Sequence, residues 1–133
     1  MSSAEERVQD ALRLWSLGRR EGAFLLAIVA VIVRAKQVYP SATSDGDAFQ
    51  KLIADRFQPR LSVEFRGEQW PIERVFYKWF RCEIVHQGNL PVDVRFMDDA
   101  AEDELTVRAG GRPEFVLLVS PGWFHQLVEW ARS

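Results

Sequence analysis

The pattern of apolar and polar positions opens with helix. Residues 4 to 39 contain no proline. Val8, Leu12 and Trp15 recur at helical spacing on an amphipathic first half, and the run AFLLAIVAVIV from 23 to 33 is apolar all round, as a helix enclosed by protein requires. Gly18 and Gly22 interrupt this stretch, marking a kink or a close helix crossing, or else tolerated within one long helix. Pro40 ends it. The turn SATSDGD then offers Ser44 or Asp45 as the N-cap of a second helix, in which Phe49, Leu52, Ile53 and Phe57 recur up to Pro59. LSVEF alternates like a short strand or an extended linker. Pro71 opens a third helix at the first-turn position proline prefers, and Gly88 stops it after about Gln87.

Beyond Gly88 the period changes to two. Val92, Val94 and Phe96 alternate, then Leu105 and Val107, then FVLLV from 115 to 119, with DDAAED and GGRP as turns, so a small antiparallel meander of three strands is expected. Ser120 and Pro121 cap a last helix, PGWFHQLVEWAR, whose Trp123, Phe124, Leu127 and Val128 make a core stripe. No repeat, low-complexity tract or linker divides the chain. The elements define an α+β, mainly α fold: one domain over residues 1–133, a helical core at about 4–90, and the meander with the last helix at about 91–133.

Composition agrees with one globular domain. The 133 residues are 47% hydrophobic and 27% charged, with five Trp and nine Phe, enough apolar material for one real core. A net charge of −2 gives no overall attraction to nucleic acid, so any polyanion site must be local. One cysteine, Cys82, excludes an intrachain disulfide, and two histidines leave no Cys/His cluster for a structural zinc, so no metal and no cofactor is expected. The charged start MSSAEERVQDAL lacks the apolar centre of a signal peptide, and a cytoplasmic protein is expected. As a helix, residues 23 to 33 rise only about 16 Å against a bilayer core of about 30 Å, so no membrane partner is expected.

The third helix breaks its own pattern. At about 100° per residue, Ile72, Val75, Phe76, Trp79 and Phe80 cover one face while Arg74, Tyr77, Lys78 and Arg81 cover the other. In the last turn Glu83 and His86 fall on the formerly apolar side, and Ile84 and Val85 on the polar one. Such local violations collect at functional sites and interfaces. Two arrangements fit: a second chain covers Ile84 and Val85 beside a polar cleft, or the meander folds over them and His86 bonds a loop carbonyl. Arg81 and His86 stand about 140° apart around the axis, so one helix does not aim both at one small target unless Arg81 bends round. Two copies across a two-fold axis would bring both residue types into one cleft.

The run from Tyr77 to Gly88, YKWFRCEIVHQG, resembles the signature of the HEPN superfamily (higher eukaryote and prokaryote nucleotide-binding domains), in which an Arg, four to six residues and a His lie near the end of a helix. The stretch GRREGAFLLAIVAVIVRAKQVYP followed by SDGDAFQKLI is similar to the opening helices of compact bacterial members, and the likeness spans roughly residues 4 to 90. It implies an antiparallel helical bundle, a homodimer, RNA or a nucleotide as ligand, and in many members a metal-independent endoribonuclease of toxin or defence type, with a cognate antitoxin or another protein as partner. Arg81 and His86 are then the catalytic pair. His86 acts as base on the ribose 2′-hydroxyl or as acid to the leaving oxygen, and Arg81 holds the phosphate. Nucleophilic attack by the 2′-hydroxyl restricts cleavage to RNA. Tyr77, Cys82 and Glu83 support the pair. Cys82 departs from the pattern, since a polar residue, often Asn, commonly follows the Arg; this weighs for a non-catalytic nucleotide- or RNA-binding or adaptor domain as the alternative.

Lys78, Arg74 and Arg20, with Arg19 and Glu21 nearby in sequence, are candidates for phosphate contacts beside Arg81, against a reading as solvated helix surface. The acidic run from Asp98 to Glu104 reads as a solvated loop rather than a metal site, and His125 as structural. A lone cysteine on a helix reads as a packing residue. No Gly-rich phosphate loop or nucleophile elbow occurs.

Overall fold

A computed structural model describes residues 2–57, 60–110 and 116–133. The fold is α+β and mainly helical. The long N-terminal stretch is two helices, α1 (Ser3–Ser16) and α2 (Arg20–Val38), rather than one interrupted by glycines. Gly18 adopts φ +77°, and the amides of Gly18 and Arg19 donate to the carbonyls of Trp15 and Leu14 at 3.0 and 2.9 Å. That is a Schellman stop, which glycine alone enters without a Cβ penalty. The returning chain lays α2 against α1, and α3 (Asp45–Arg56) and α6 (Gly122–Arg132) also pack on α2. The apolar run is thus buried over most of its circumference, but Leu25, Val29 and Val33, a stripe at i, i+4 and i+8, are only half-buried, so the expected enclosure on every side is not complete. No helix among the described residues is long and apolar enough to cross a membrane. Ser44 caps α3, accepting the Asp47 amide at 3.0 Å. Pro59, expected to close that helix, lies outside the described residues.

LSVEF forms β1 (Ser62–Phe65), paired antiparallel with β2 (Glu68–Pro71), a partner the alternation did not announce. Arg66 and Gly67 turn the hairpin at φ 53° and 80°, the paired positive φ values of a type I′ turn. Pro71 ends β2 and caps the helix that follows, and Ile72, which has the amide proline lacks, donates to the Leu61 carbonyl at 2.9 Å.

The C-terminal strands correct the expected antiparallel meander. β3 (Val94–Phe96), β4 (Val107–Gly110) and β5 (Val116–Val119) lie in the order β3-β5-β4, with β3 parallel and β4 antiparallel to β5. β5 is the most apolar, burying Leu117 and Val119, whereas Arg108 to Gly110 of β4 are exposed; the apolar strand takes the middle and the polar one the edge. Phe115 and the GGRP turn, apart from Gly110, lie outside the described residues. Val92 is 87% exposed, before β3 begins, and Leu105 lies before β4. Ser120 does not cap α6. Its hydroxyl donates to the Glu104 carbonyl and accepts the Thr106 amide, closing the loop over the start of that helix. Trp123, Phe124, Leu127 and Val128 are buried as a stripe.

Candidate functional site

The helix from 72 to 87 carries every central candidate, and its first half is anchored by rings. Phe24 of α2 lies 5.8, 4.8 and 5.1 Å from Phe76, Phe80 and Phe96, and Trp123 packs at 5.4 Å on Phe76. After one α turn, α4 (Ile72–Val75), the backbone widens into a π-helix over Phe76–Cys82, then returns to α in α5 (Glu83–Gln87). A π turn closes i to i+5 and takes up about one residue more than an α turn.

That extra residue accounts for the broken pattern. The last turn lags by about one position, roughly 100°, so Ile84 occupies the slot that regular α geometry assigns to Glu83. Ile84 is 9% exposed and within the fold, while Val85 is 51% exposed; His86 is exposed and Glu83 half-buried. The pair Ile84 and Val85 is therefore split: this chain covers Ile84 and leaves Val85 outside. The wider turn also brings Lys78 to Glu83, i to i+5, with an ion pair of 3.7 Å, although α geometry would separate them by about 140°.

Arg81 sits at the end of the π segment, half-buried. Its guanidinium lies 5.5 Å from the centre of the Tyr77 ring, and Nη1 reaches the Cys82 sulfur at 4.0 Å. Cys82 is a half-buried free thiol. His86 makes no hydrogen bond or ion pair among the described residues, so the bond to a loop carbonyl that one of the two arrangements required is absent there. Because the π segment ends at Cys82, Arg81 and His86 still diverge by more than about 100°. The chain does not bring them into contact with each other. Gly88, at φ +85°, ends the helix as expected.

The basic candidates separate into two places. Arg20 stacks at 5.0 Å over Trp15 and lines, with Arg19, Glu21, Ile84 and Gly88, an open hollow of about 600 Å³ at the end of the helix. Arg74 lies over Trp70 at 4.9 Å, roughly 18 Å along the axis from His86. Lys78 stands between them, 5.6 Å over Trp79 and paired with Glu83. Arg20 thus lies on the Ile84 and Gly88 side of the helix end, about 160° round the axis from His86, and Arg74 belongs to the hairpin.

Three features escaped the sequence. Glu21 accepts the Leu90 amide at 2.8 Å and holds the chain leaving the helix against α2. Arg66 grips Asp93 through two bonds of 2.8 and 2.6 Å while lying 4.3 Å over Trp79; the guanidinium holds the Asp93 carboxyl below its ordinary range, and Asp93 in turn raises Arg66. Glu102, in the acidic run, accepts from His125 at 3.0 Å and from Trp15, and these bonds lower its carboxyl too. None of these pairings has a spacing signal, because each joins distant segments. Among the described residues no group of His, Cys, Asp and Glu side chains could hold a metal ion.

The fold is thus a mainly helical α+β domain with an Arg and a His displayed on different sides of a helix end. A family model described as Rv1289 matches residues 3–112, and the chain belongs to the Rv1289 family. No curated protein and no solved structure matches it.

Proposed function

We propose that this chain is a HEPN-like domain acting on RNA, a metal-independent endoribonuclease of toxin or defence type whose site is shared by two copies. In this reading α1, α2, α3 and the helix from 72 to 87 serve as an antiparallel bundle, and the exposed last turn lies at a homodimer interface. Arg81 contacts the scissile phosphate and stabilises its developing charge, while His86 transfers the proton of the ribose 2′-hydroxyl or of the leaving oxygen. Lys78 and Arg20 contact flanking phosphates, with Arg74 further along the strand. The divergence of Arg81 and His86, with half-exposed Val85 between them, carries the proposal: with Arg81 lying over Tyr77, one copy does not converge them on one phosphate, but two copies can. A cytoplasmic setting and a protein partner such as an antitoxin belong to the same reading.

RNA cleavage in EDTA, parent against His86→Ala, tests it. The expected loss is about 100-fold or more, as for removal of a general acid or base, with a dimer by light scattering. Equal rates, or no cleavage by either protein, would sink the catalytic claim. One observation favours a second reading, a binding or adaptor domain without turnover: the group beside Arg81 is the Cys82 sulfur, a weak partner where a polar side chain would hold substrate better. RNA or nucleotide binding by filter retention, without product, would support it.

A further inference from the structure

Arg81 has few holds on its direction. It makes no ion pair among the described residues, and its one hydrogen-bonding contact is the long approach to the Cys82 sulfur at 4.0 Å. The remaining support is the Tyr77 ring, 5.5 Å from the guanidinium. That ring is fixed in turn. It packs on Phe49 of α3 at 5.8 Å and crosses Gly46 so closely that a Cβ there would lie 2.9 Å from Cε1, 3.0 Å from Cζ and 3.3 Å from Oη. The start of α3 is firmly held: Ser44 caps it, and the Asp47 carboxylate accepts the Thr43 amide and pairs with Lys51. Gly46 follows Asp45, the first helical residue, and has an ordinary backbone conformation there, so close approach rather than backbone freedom calls for glycine.

We propose that Tyr77 is a positioning residue that aims Arg81, and that the bare backbone of Gly46 sets where the Tyr77 ring lies. A cation over an aromatic face is held by the ring quadrupole without tying up its N–H donors, which leaves the guanidinium fork free to take a phosphate. This rests on the RNA reading for its consequence, but not for its geometry. Tyr77→Phe keeps the ring and Tyr77→Leu removes it, while Gly46→Ala keeps both partners and pushes the ring aside.

The test is a double-mutant cycle read by RNA cleavage or RNA affinity, together with the NMR shifts of the Arg81 side chain in the full chain without RNA. Expected are parent-like values for Tyr77→Phe, a loss of about tenfold for Tyr77→Leu, and no further loss when Tyr77→Leu is added to Arg81→Ala. Gly46→Ala should give a smaller loss with the helical spectrum intact. The ring-current shift on the Arg81 side chain should vanish in Tyr77→Leu, persist in Tyr77→Phe and change in Gly46→Ala. Independent, multiplying losses from Tyr77→Leu and Arg81→Ala would overturn the proposal, as would Arg81 shifts indifferent to the ring. If Arg81→Ala leaves both cleavage and affinity untouched, the RNA reading falls, and the NMR arm alone decides whether Tyr77 aims Arg81.

Discussion

The two halves of the helix from 72 to 87 are held by opposite means. In the first, Ile72, Val75, Phe76 and Phe80 are wholly buried and rings from α2 and α6 close on them. In the second, only Ile84 is buried, Val85 and His86 face outward, and the chain is secured mainly by the Gly88 stop and the Glu21 bond to Leu90. Apolar area scales with stabilisation, at about 25 cal/mol per Å², so the first half fixes the helix in place. The second half is left free to present polar groups. The π segment joins them and converts a pattern that would bury His86 into one that buries Ile84.

Truncation in the first half is the strongest way to break this contrast. Phe80→Ala should cost about 3–5 kcal/mol in denaturant unfolding, the usual loss for a buried aromatic. Ile84→Ala should cost about 2 kcal/mol, at the low end for a buried aliphatic because Ile84 lies at the edge of the core. Val85→Ala should change stability by under about 0.5 kcal/mol. A regular α-helix through residues 76–82 would not place Ile84 inside, so similar costs at 84 and 85 would break the account of the wide turn.

The same turn shows what the sequence could and could not reveal. Helix stops at Pro40 and Gly88, the Ser44 cap and the core stripe of the last helix were legible, because each rests on local chemistry. Burial of most of residues 23 to 33 was legible too, but not the half-open stripe of Leu25, Val29 and Val33. The π segment was not legible: its rings have ordinary helical spacing, and what remained visible was an apparent inversion after Phe80. The order of β3, β4 and β5 was also hidden, since sequence neighbours are the natural partners of a meander and only relative burial sends Val116–Val119 to the centre. At the helix end, the divergence of Arg81 and His86 could be read from spacing. Contacts such as Arg81 with Tyr77, or Tyr77 with Gly46, required the packing of α3 against the helix.

Asp93 and Arg66 provide a finer test, because they tie the hairpin to the segment before β3, beside the anchored half. The hydrogen bonds from Arg66 hold the Asp93 carboxyl below its ordinary value of 3.8. A depressed carboxyl contributes stability that is fully present above the unfolded value of about 3.9 and is lost as pH falls through the folded one. Asp93→Asn should therefore cost about 1 kcal/mol near neutrality, a modest figure because solvent reaches Arg66, and the gap from the parent should close below about pH 4. A gap unchanged from pH 7 to pH 3 would show that the loss comes from packing rather than charge.

The change in stability expected at His86 is as small as that at Val85. Its side chain is exposed and has no polar partner among the described residues, so His86→Ala should shift unfolding by no more than about 0.5 kcal/mol. That near-silence sharpens the contrast, because it separates a folding role from a chemical one. If His86 carries the proton transfer proposed for RNA, the same substitution that leaves the unfolding midpoint in place should remove cleavage. A large destabilisation would instead mean that the last turn is anchored like the first half, and loss of cleavage in that variant would then say nothing about chemistry. Measuring midpoint and cleavage on one preparation of His86→Ala decides between these cases, with His86→Gln as a check that a neutral hydrogen-bonding group does not restore the rate.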